Sequence, residues 1–307
     1  MSVNNVVAEV SKVIKGKEKI IEKVLVAILA EGHILLEDVP GIGKTTLALA
    51  FSKAMNLDFS RIQFTPDVTA SDVVGFTYYD KSKEQFSYRK GAVLNNFVLG
   101  DEINRTSSRT QSALLEVMEE GAVTVDGTRY EVPKPFIVMA TQNPSGTLGT
   151  QSLPHAQLDR FMMQLTMGYP DFVSQMELLR DRQIVQPLDY VQAVITKEEL
   201  VKIQSEVRAV NLSEELLKYI THLTIATRNH PEIAVGISPR GALALCRAAK
   251  ARAYMQQRNY VIPEDVMELF IDCTHHRIML EAHLSSSSRE ILQELILNTT
   301  SPDLVKG

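Results

Sequence analysis

Cysteine is almost absent from this chain. Of its 307 residues only Cys246 and Cys273 are cysteines, too few for a disulfide framework, so a reducing interior is the expected address. No basic, apolar and small-residue leader opens the sequence, which points the same way. Long apolar runs are missing too. The most apolar early stretch, VLVAILAEGHILLE, is interrupted by Glu31 and His33 and falls short of the roughly eighteen apolar residues that a membrane span needs. Neither sign of charge dominates, because 32 Lys and Arg stand against 37 Asp and Glu for a net charge of -5. The bulk chain therefore does not attract nucleic acid, although a local basic patch stays open. No Ser/His/Asp or Cys/His arrangement for covalent catalysis is visible, and no internal repeat. These absences leave a soluble, cytoplasmic globular protein as the expectation. A length of 307 residues, 45% of them hydrophobic, suits one large or two ordinary domains.

Two segments carry chemistry. Residues 38–46 read DVPGIGKTT and residues 97–105 read FVLGDEINR. A glycine turn ending in Lys44-Thr45 lets backbone N–H groups close around phosphates, puts an ammonium on the β/γ oxygens and offers Mg²⁺ a hydroxyl. An apolar strand ending in Asp101-Glu102 supplies a carboxylate for the magnesium shell and a second carboxylate to polarise an attacking water. The local pattern fits: His33 to Leu36 read as a short strand before the turn, and TTLALAFSKAM reads as the helix after it, with its positive end toward the phosphates. Helical spacing covers residues 5–31 with a break near Lys15-Gly16-Lys17.

Further along, residues 73–91 read as a β-hairpin with alternating aromatics, and Asp126-Gly127 marks a second hairpin at 122–132. Between them TSSRTQSALLEVMEEG is a helix with a hydroxyl cap and a terminal glycine. Phe136 to Ala140 form a buried strand, and Asn143 just past its tip can point into the same cleft. Alternating strands and helices to about residue 168 indicate a mostly parallel sheet covered on both faces. Beyond Gly168-Tyr169-Pro170 the pattern is helical, through LLRDRQIV, EELVKIQSEV, EELLKYITHLTIATR and PRGALALCRAAKARAYM, with little strand signal. Pro263 opens one more helix and a last one lies at about 289–298, after a Ser285–Ser288 run read as a solvated linker.

In this order, DVPGIGKTT, FVLGDEINR, FIVMATQNP, LPHAQLDRF and GISPRGALAL resemble the MoxR family of AAA+ ATPases over nearly the whole chain. The resemblance implies an α/β fold: a P-loop αβα core with a parallel sheet and inserted β-hairpins at 1–168, then a smaller all-helical lid at 169–307. It implies ATP and Mg²⁺ as ligands and Pro40, Gly41, Ile42, Gly43, Lys44, Thr45 and Thr46 as the nucleotide-contacting turn. Thr45 and Asp101 match the magnesium positions, Glu102 the catalytic glutamate and Asn143 sensor 1. Arg160 in LDRF matches the arginine finger that reaches a neighbouring subunit's nucleotide, and Arg240 in SPRG matches sensor 2 from the lid of its own subunit. A ring, usually hexameric, follows from the resemblance, as does a protein client or a von Willebrand factor A-type partner remodelled by chaperone-like action.

Two positions depart from the family pattern. Asp38 stands where the phosphate motif begins with Gly; with Gly41 and Gly43 kept, its side chain is expected to face away from the phosphates. His155 stands where the family has Glu, either as a pH-sensitive group near the subunit interface or as an exposed histidine without a role. Arg105 is either a sensor of nucleotide across the interface or a salt bridge beside the acidic pair. The aromatic hairpin at 76–88 can stack on single-stranded bases or offer a partner-binding loop. Cys273, His275 and His276 do not share a helix face, so a metal site is not expected. A nucleic-acid motor or loader, a chelatase-type motor subunit and a nucleotide-gated scaffold are the rival functions.

Overall fold

The computed structural model describes residues 3–144, 152–181, 186–281 and 287–302. Helices α1 (Asn4–Ser11) and α2 (Glu18–Leu29) are followed by β1 (Ile34–Glu37), the glycine turn, α3 (Lys44–Ala54) and β2 (Phe59–Gln63). Next come α4 (Ala70–Val74), the hairpin β3 (Gly75–Asp80) and β4 (Gln85–Lys90), and the acidic strand β5 (Phe97–Asp101). A 3-10 turn (Ile103–Arg105) leads to α5 (Ser108–Glu120), the hairpin β6 (Ala122–Val125) and β7 (Thr128–Glu131), and β8 (Ile137–Gln142). The main sheet has the order β2-β5-β8-β1-β9, where β9 is Met163–Leu165. The β2/β5 and β5/β8 pairs are parallel. Strands β5 and β8 are buried along their whole length, the continuous apolar pattern expected of a parallel strand covered on both faces. Parallel order brings the C-terminal ends of β2, β5 and β8 together, and register sets Gln63 beside Asp101.

The rest of the chain is α6 (His155–Leu158), α7 (Phe172–Asp181), a 3-10 turn (Pro187–Tyr190), α8 (Lys197–Arg208) and α9 (Glu214–Asn229), then β10 (Ile233–Val235), α10 (Pro239–Met255) and α11 (Pro263–Thr274). A 3-10 turn (His275–Arg277), β11 (Met279–Leu280) and α12 (Ser288–Asn298) complete it. Two compact units emerge, interleaved along the sequence: one of residues 1–21, 35–153 and 166–201, the other of residues 22–34, 154–165 and 202–307. Among the described residues no helix is long and apolar enough to cross a membrane.

Both hairpins, the capped α5 and the helices after Lys44 and Pro263 lie where the residue pattern puts them. Serine caps do the local work: Ser107 accepts from the Thr110 N–H, Ser213 from Leu216 and Ser238 from Gly241, each satisfying a donor that the first helical turn leaves orphaned. Three details differ from expectation. Strand β8 runs to Gln142, two residues beyond Ala140, because Thr141 and Gln142 are buried with the strand. The C-terminal part is not purely helical, since β10 and β11 pair antiparallel as a two-stranded ribbon; runs this short leave no readable alternation. Of the serine run, Ser285 and Ser286 lie outside the described residues, as do residues 182–185 of LLRDRQIV. Ser287 and Ser288 are not linker, because the Ser287 hydroxyl accepts from the Glu290 N–H and caps α12.

Candidate active site

The first unit carries a cavity of about 370 Å³ at the C-terminal ends of the sheet strands, the place where open α/β sheets bind ligands. Pro40, Gly41, Gly43, Lys44, Thr45, Thr46, Asp101, Glu102 and Asn143 line it, together with Arg61 and Gln63. Ile42 is not among the lining residues. Gly41 and Gly43 have φ of +87° and +98°, and a Cβ on Gly41 would meet no protein atom within 4 Å. The backbone there is left-handed and open on the cavity side, the form a phosphate cradle requires. The Lys44 ammonium is buried and donates to the Asp38 carbonyl at 2.6 Å. Burial draws its pKa down, opposed by the carboxylates of Asp101, Asp38 and Glu102.

Asp38 does face away from the cavity. Its carboxylate accepts from the Val39 N–H at 2.9 Å and from the Gly168 N–H at 2.6 Å, which spends its charge on backbone donors inside the same unit.

The acidic pair is held by a network in which Arg105 and Asn143 were expected and Thr141, Arg61 and Gln63 were not. Thr141, fully buried, donates its hydroxyl to Asp101 Oδ1 at 2.6 Å and accepts from the Glu102 N–H at 2.9 Å. Arg61 Nη2 lies 2.7 Å from Asp101 Oδ2. The Glu102 carboxylate accepts from Asn143 Nδ2 at 3.0 Å on Oε1, and from Gln63 Nε2 at 3.0 Å and Arg105 Nη1 at 2.8 Å on Oε2. Arg105 is thus an ion pair to the glutamate itself. Glu102 also sits at φ +55°, a conformation costing an L-residue of order 1 kcal/mol or more that is tolerated where the surroundings fix it. The missed residues Arg61 and Gln63 had one sequence signal: SRIQF places polar groups at the end of a strand that can run beside the acidic one.

Arg160 and Arg240 belong to the second unit. Arg160 follows α6 and is half-buried; Arg240 is the second residue of α10 and is exposed. His155 is not an exposed, idle histidine. It is half-buried, with Nε2 2.7 Å from the Arg277 carbonyl. Cys273 and His276 are buried and His275 half-buried, with the His275 ring 3.0 Å from the Gln164 carbonyl and the His276 ring 3.0 Å from the Phe161 carbonyl.

Comparison with known proteins gives the same architecture a lineage. A model of the ATPase family associated with various cellular activities matches residues 33–163, and an AAA lid model matches residues 225–295. A candidate ATPase of Cytophaga hutchinsonii, known from its crystal structure, is 41% identical with a TM-score of 0.90, covering 97% of this chain and 94% of that one. The YeaC protein of Bacillus subtilis is 47% identical over 89% of this chain and 86% of its own length. Chaperone MoxR1 of Mycobacterium tuberculosis is 37% identical over 94% of this chain and 78% of its own length. A likeness of that strength, running through core and lid alike, makes this chain a member of the MoxR family of AAA+ ATPases.

Proposed function

We propose that the chain hydrolyses ATP with Mg²⁺ and uses the turnover to remodel a protein client or a von Willebrand factor A-type partner, as a homo-oligomeric ring of six in the cytoplasm. The observation that carries this reading is the convergence of Lys44, Thr45, Asp101, Glu102 and Asn143 on one cavity. In it, Pro40 to Thr46 enclose the phosphates of ATP, with residues 1–168 as the nucleotide-binding domain and 169–307 as the lid. The oxygen donors suit Mg²⁺, a hard cation: Thr45 and Asp101 share the cavity, and Asp101 Oδ2 already faces a positive charge, that of Arg61. Thr45 and Asp101 would hold the ion, whose chemistry is to neutralise charge on the β- and γ-phosphate oxygens.

Glu102 and Asn143, already hydrogen-bonded to each other, orient the attacking water. Lys44 stabilises negative charge on the transferring phosphoryl group from the turn, Arg240 from the lid and Arg160 from a neighbouring subunit, arginine being suited to this by its fixed charge and forked donors. The test is Glu102→Gln, which should bind a fluorescent ATP analogue as the parent does and lose about 10²-fold or more in turnover. Parental turnover in that variant would end the proposal. A turnover per subunit that climbs with protein concentration supports completion of the site between subunits; in a population shown to be monomeric, full activity removes the ring from the mechanism.

A further inference from the structure

The two candidate arginines of the second unit are tied to each other by a side-chain cluster outside the nucleotide cavity. Arg277 is 1% exposed, and all five of its N–H donors are used, a full accounting for a buried guanidinium. Nε donates to Asp159 Oδ1 at 2.8 Å. Nη2 donates to the Asp159 carbonyl at 3.0 Å and the Phe161 carbonyl at 2.6 Å, and Nη1 to the Met162 carbonyl at 3.0 Å and to the Cys273 carbonyl. The carbonyls on both sides of Arg160 are therefore held by one side chain. His155 and His276 add to the grip, through the Arg277 carbonyl at 2.7 Å and the Phe161 carbonyl at 3.0 Å.

From the same cluster a second line runs to Arg240. The Asp159 carboxylate accepts from the Ser238 hydroxyl at 3.0 and 2.9 Å. Ser238 in turn accepts from the Gly241 N–H at 3.0 Å as the cap of α10. Space is reserved for the arrangement: a Cβ on Gly241 would stand 2.7 Å from Arg277 Cδ and 3.1 Å from its Nε. Glycine directly after Arg240 is what lets Arg277 lie against the start of α10.

We propose that Asp159 and Arg277 are positioning residues for ATP hydrolysis, clamping the turn that carries Arg160 to the first turn of the helix that carries Arg240, so that the two arginines are presented as one body. This rests on the reading of Arg160 and Arg240 as nucleotide-contacting groups. A purely structural cluster would set the melting temperature alone; a clamp also sets the rate, because small misplacements of a charge-stabilising group are costly in turnover.

The experiment uses the full chain under conditions where it assembles, and measures kcat, KM, affinity for a fluorescent ATP analogue and melting temperature for Arg160→Ala, Arg240→Ala, Asp159→Asn and the double variant Asp159→Asn/Arg160→Ala. We expect Asp159→Asn to lower kcat about tenfold or more, assayed well below its melting temperature, with KM and analogue affinity within about twofold. The double variant should fall clearly short of the product of the two single effects, since groups that act as a unit are non-additive. If Arg160→Ala and Arg240→Ala both turn over at the parental rate, the nucleotide-contact reading fails and takes the clamp with it. If those two are slow while Asp159→Asn keeps the parental kcat, or if the double variant shows the product of the single effects, the clamp alone is overturned. Should Asp159→Asn fail to fold, Ser238→Ala, which leaves the Arg277–Asp159 pair intact, decides: a lower kcat supports the clamp and an unchanged one removes it.

Discussion

Arg61 stands 2.7 Å from Asp101, so a protein cation faces the same carboxylate that is proposed to hold magnesium. The pair is lopsided, with the Arg61 side chain 46% exposed and that of Asp101 11%. Solvent at the arginine end limits what the bridge adds to stability, to about 1 kcal/mol or less. Its consequence is instead competition. Arg61→Ala should leave unfolding in metal-free buffer almost unchanged and tighten the binding of Mn²⁺, a spectroscopic stand-in for Mg²⁺, in the presence of ADP. The expected gain is about twofold to fivefold, the range that such a pair can supply. Weaker Mn²⁺ binding in the variant would mean that Arg61 assists the site.

Thr141 is the other missed member of the network, and its replacement tests burial rather than exposure. Thr141→Val keeps the shape while removing the donor to Asp101 and the acceptor for the Glu102 N–H. Asp101 is buried and Glu102 half-buried, so the loss should be about 1–3 kcal/mol of stability, read by denaturant unfolding. Turnover should fall as well, since the φ +55° conformation of Glu102 loses one of the bonds that fixes it. Unchanged stability together with unchanged turnover would show that the hydroxyl is dispensable.

What could be read in advance divides along a physical line. Lys44, Thr45, Asp101 and Glu102 were legible because chemistry restricts residue type at a fixed spacing within single segments, and α3, α5 and the two hairpins because caps, Gly turns and periodicity are local. Arg61, Gln63 and Thr141 were not, since their roles arise from sheet order and register: Gln63 is opposite Asp101 only because β2 lies parallel to β5. Arg277 is the extreme case. Nothing in HHR marks an arginine that sends four of its five donors to a turn more than a hundred residues away. Asp38 shows a mixed case: its departure from the phosphate motif and its turn away from the phosphates are readable locally, but the Gly168 N–H that it binds is distant in the chain.

Burial also separates ion pairs that would count alike in a tally. Arg258 grips Asp265 with two parallel bonds, Nη1 to Oδ2 at 2.8 Å and Nη2 to Oδ1 at 2.6 Å, and Asp265 is buried and also accepts from the Ile262 N–H at the start of α11. Lys202 and Glu206 are 3.9 Å apart with side chains 78% and 44% exposed. Arg258→Ala strands a buried carboxylate and should cost about 2–4 kcal/mol, whereas Lys202→Ala should stay within about 0.5 kcal/mol. Chemical denaturation of both variants checks the contrast; equal losses would contradict it.

Acid should loosen the second unit before carboxylates begin to titrate. Burial, with help from the Arg289 guanidinium and, more weakly, Arg277, pushes the His275 pKa down from 6.5 to about 4, against the opposing pull of the Gln164 carbonyl and Asp272. Buried His276 moves in the same direction, burial again first and then Arg277. Well above pH 6.5 both rings are neutral in folded and unfolded chains alike, so neither contributes a pH dependence. Between about 6.5 and 4 the unfolded chain takes up protons that the folded rings refuse, and stability falls as the pH falls, by up to about 1.4 kcal/mol per pH unit for each ring. Unfolding midpoints measured from pH 7.5 to 5 should decline, and His275→Gln should decline less steeply because one of the two rings is gone. A flat profile, or a variant as steep as the parent, would place the acid sensitivity elsewhere.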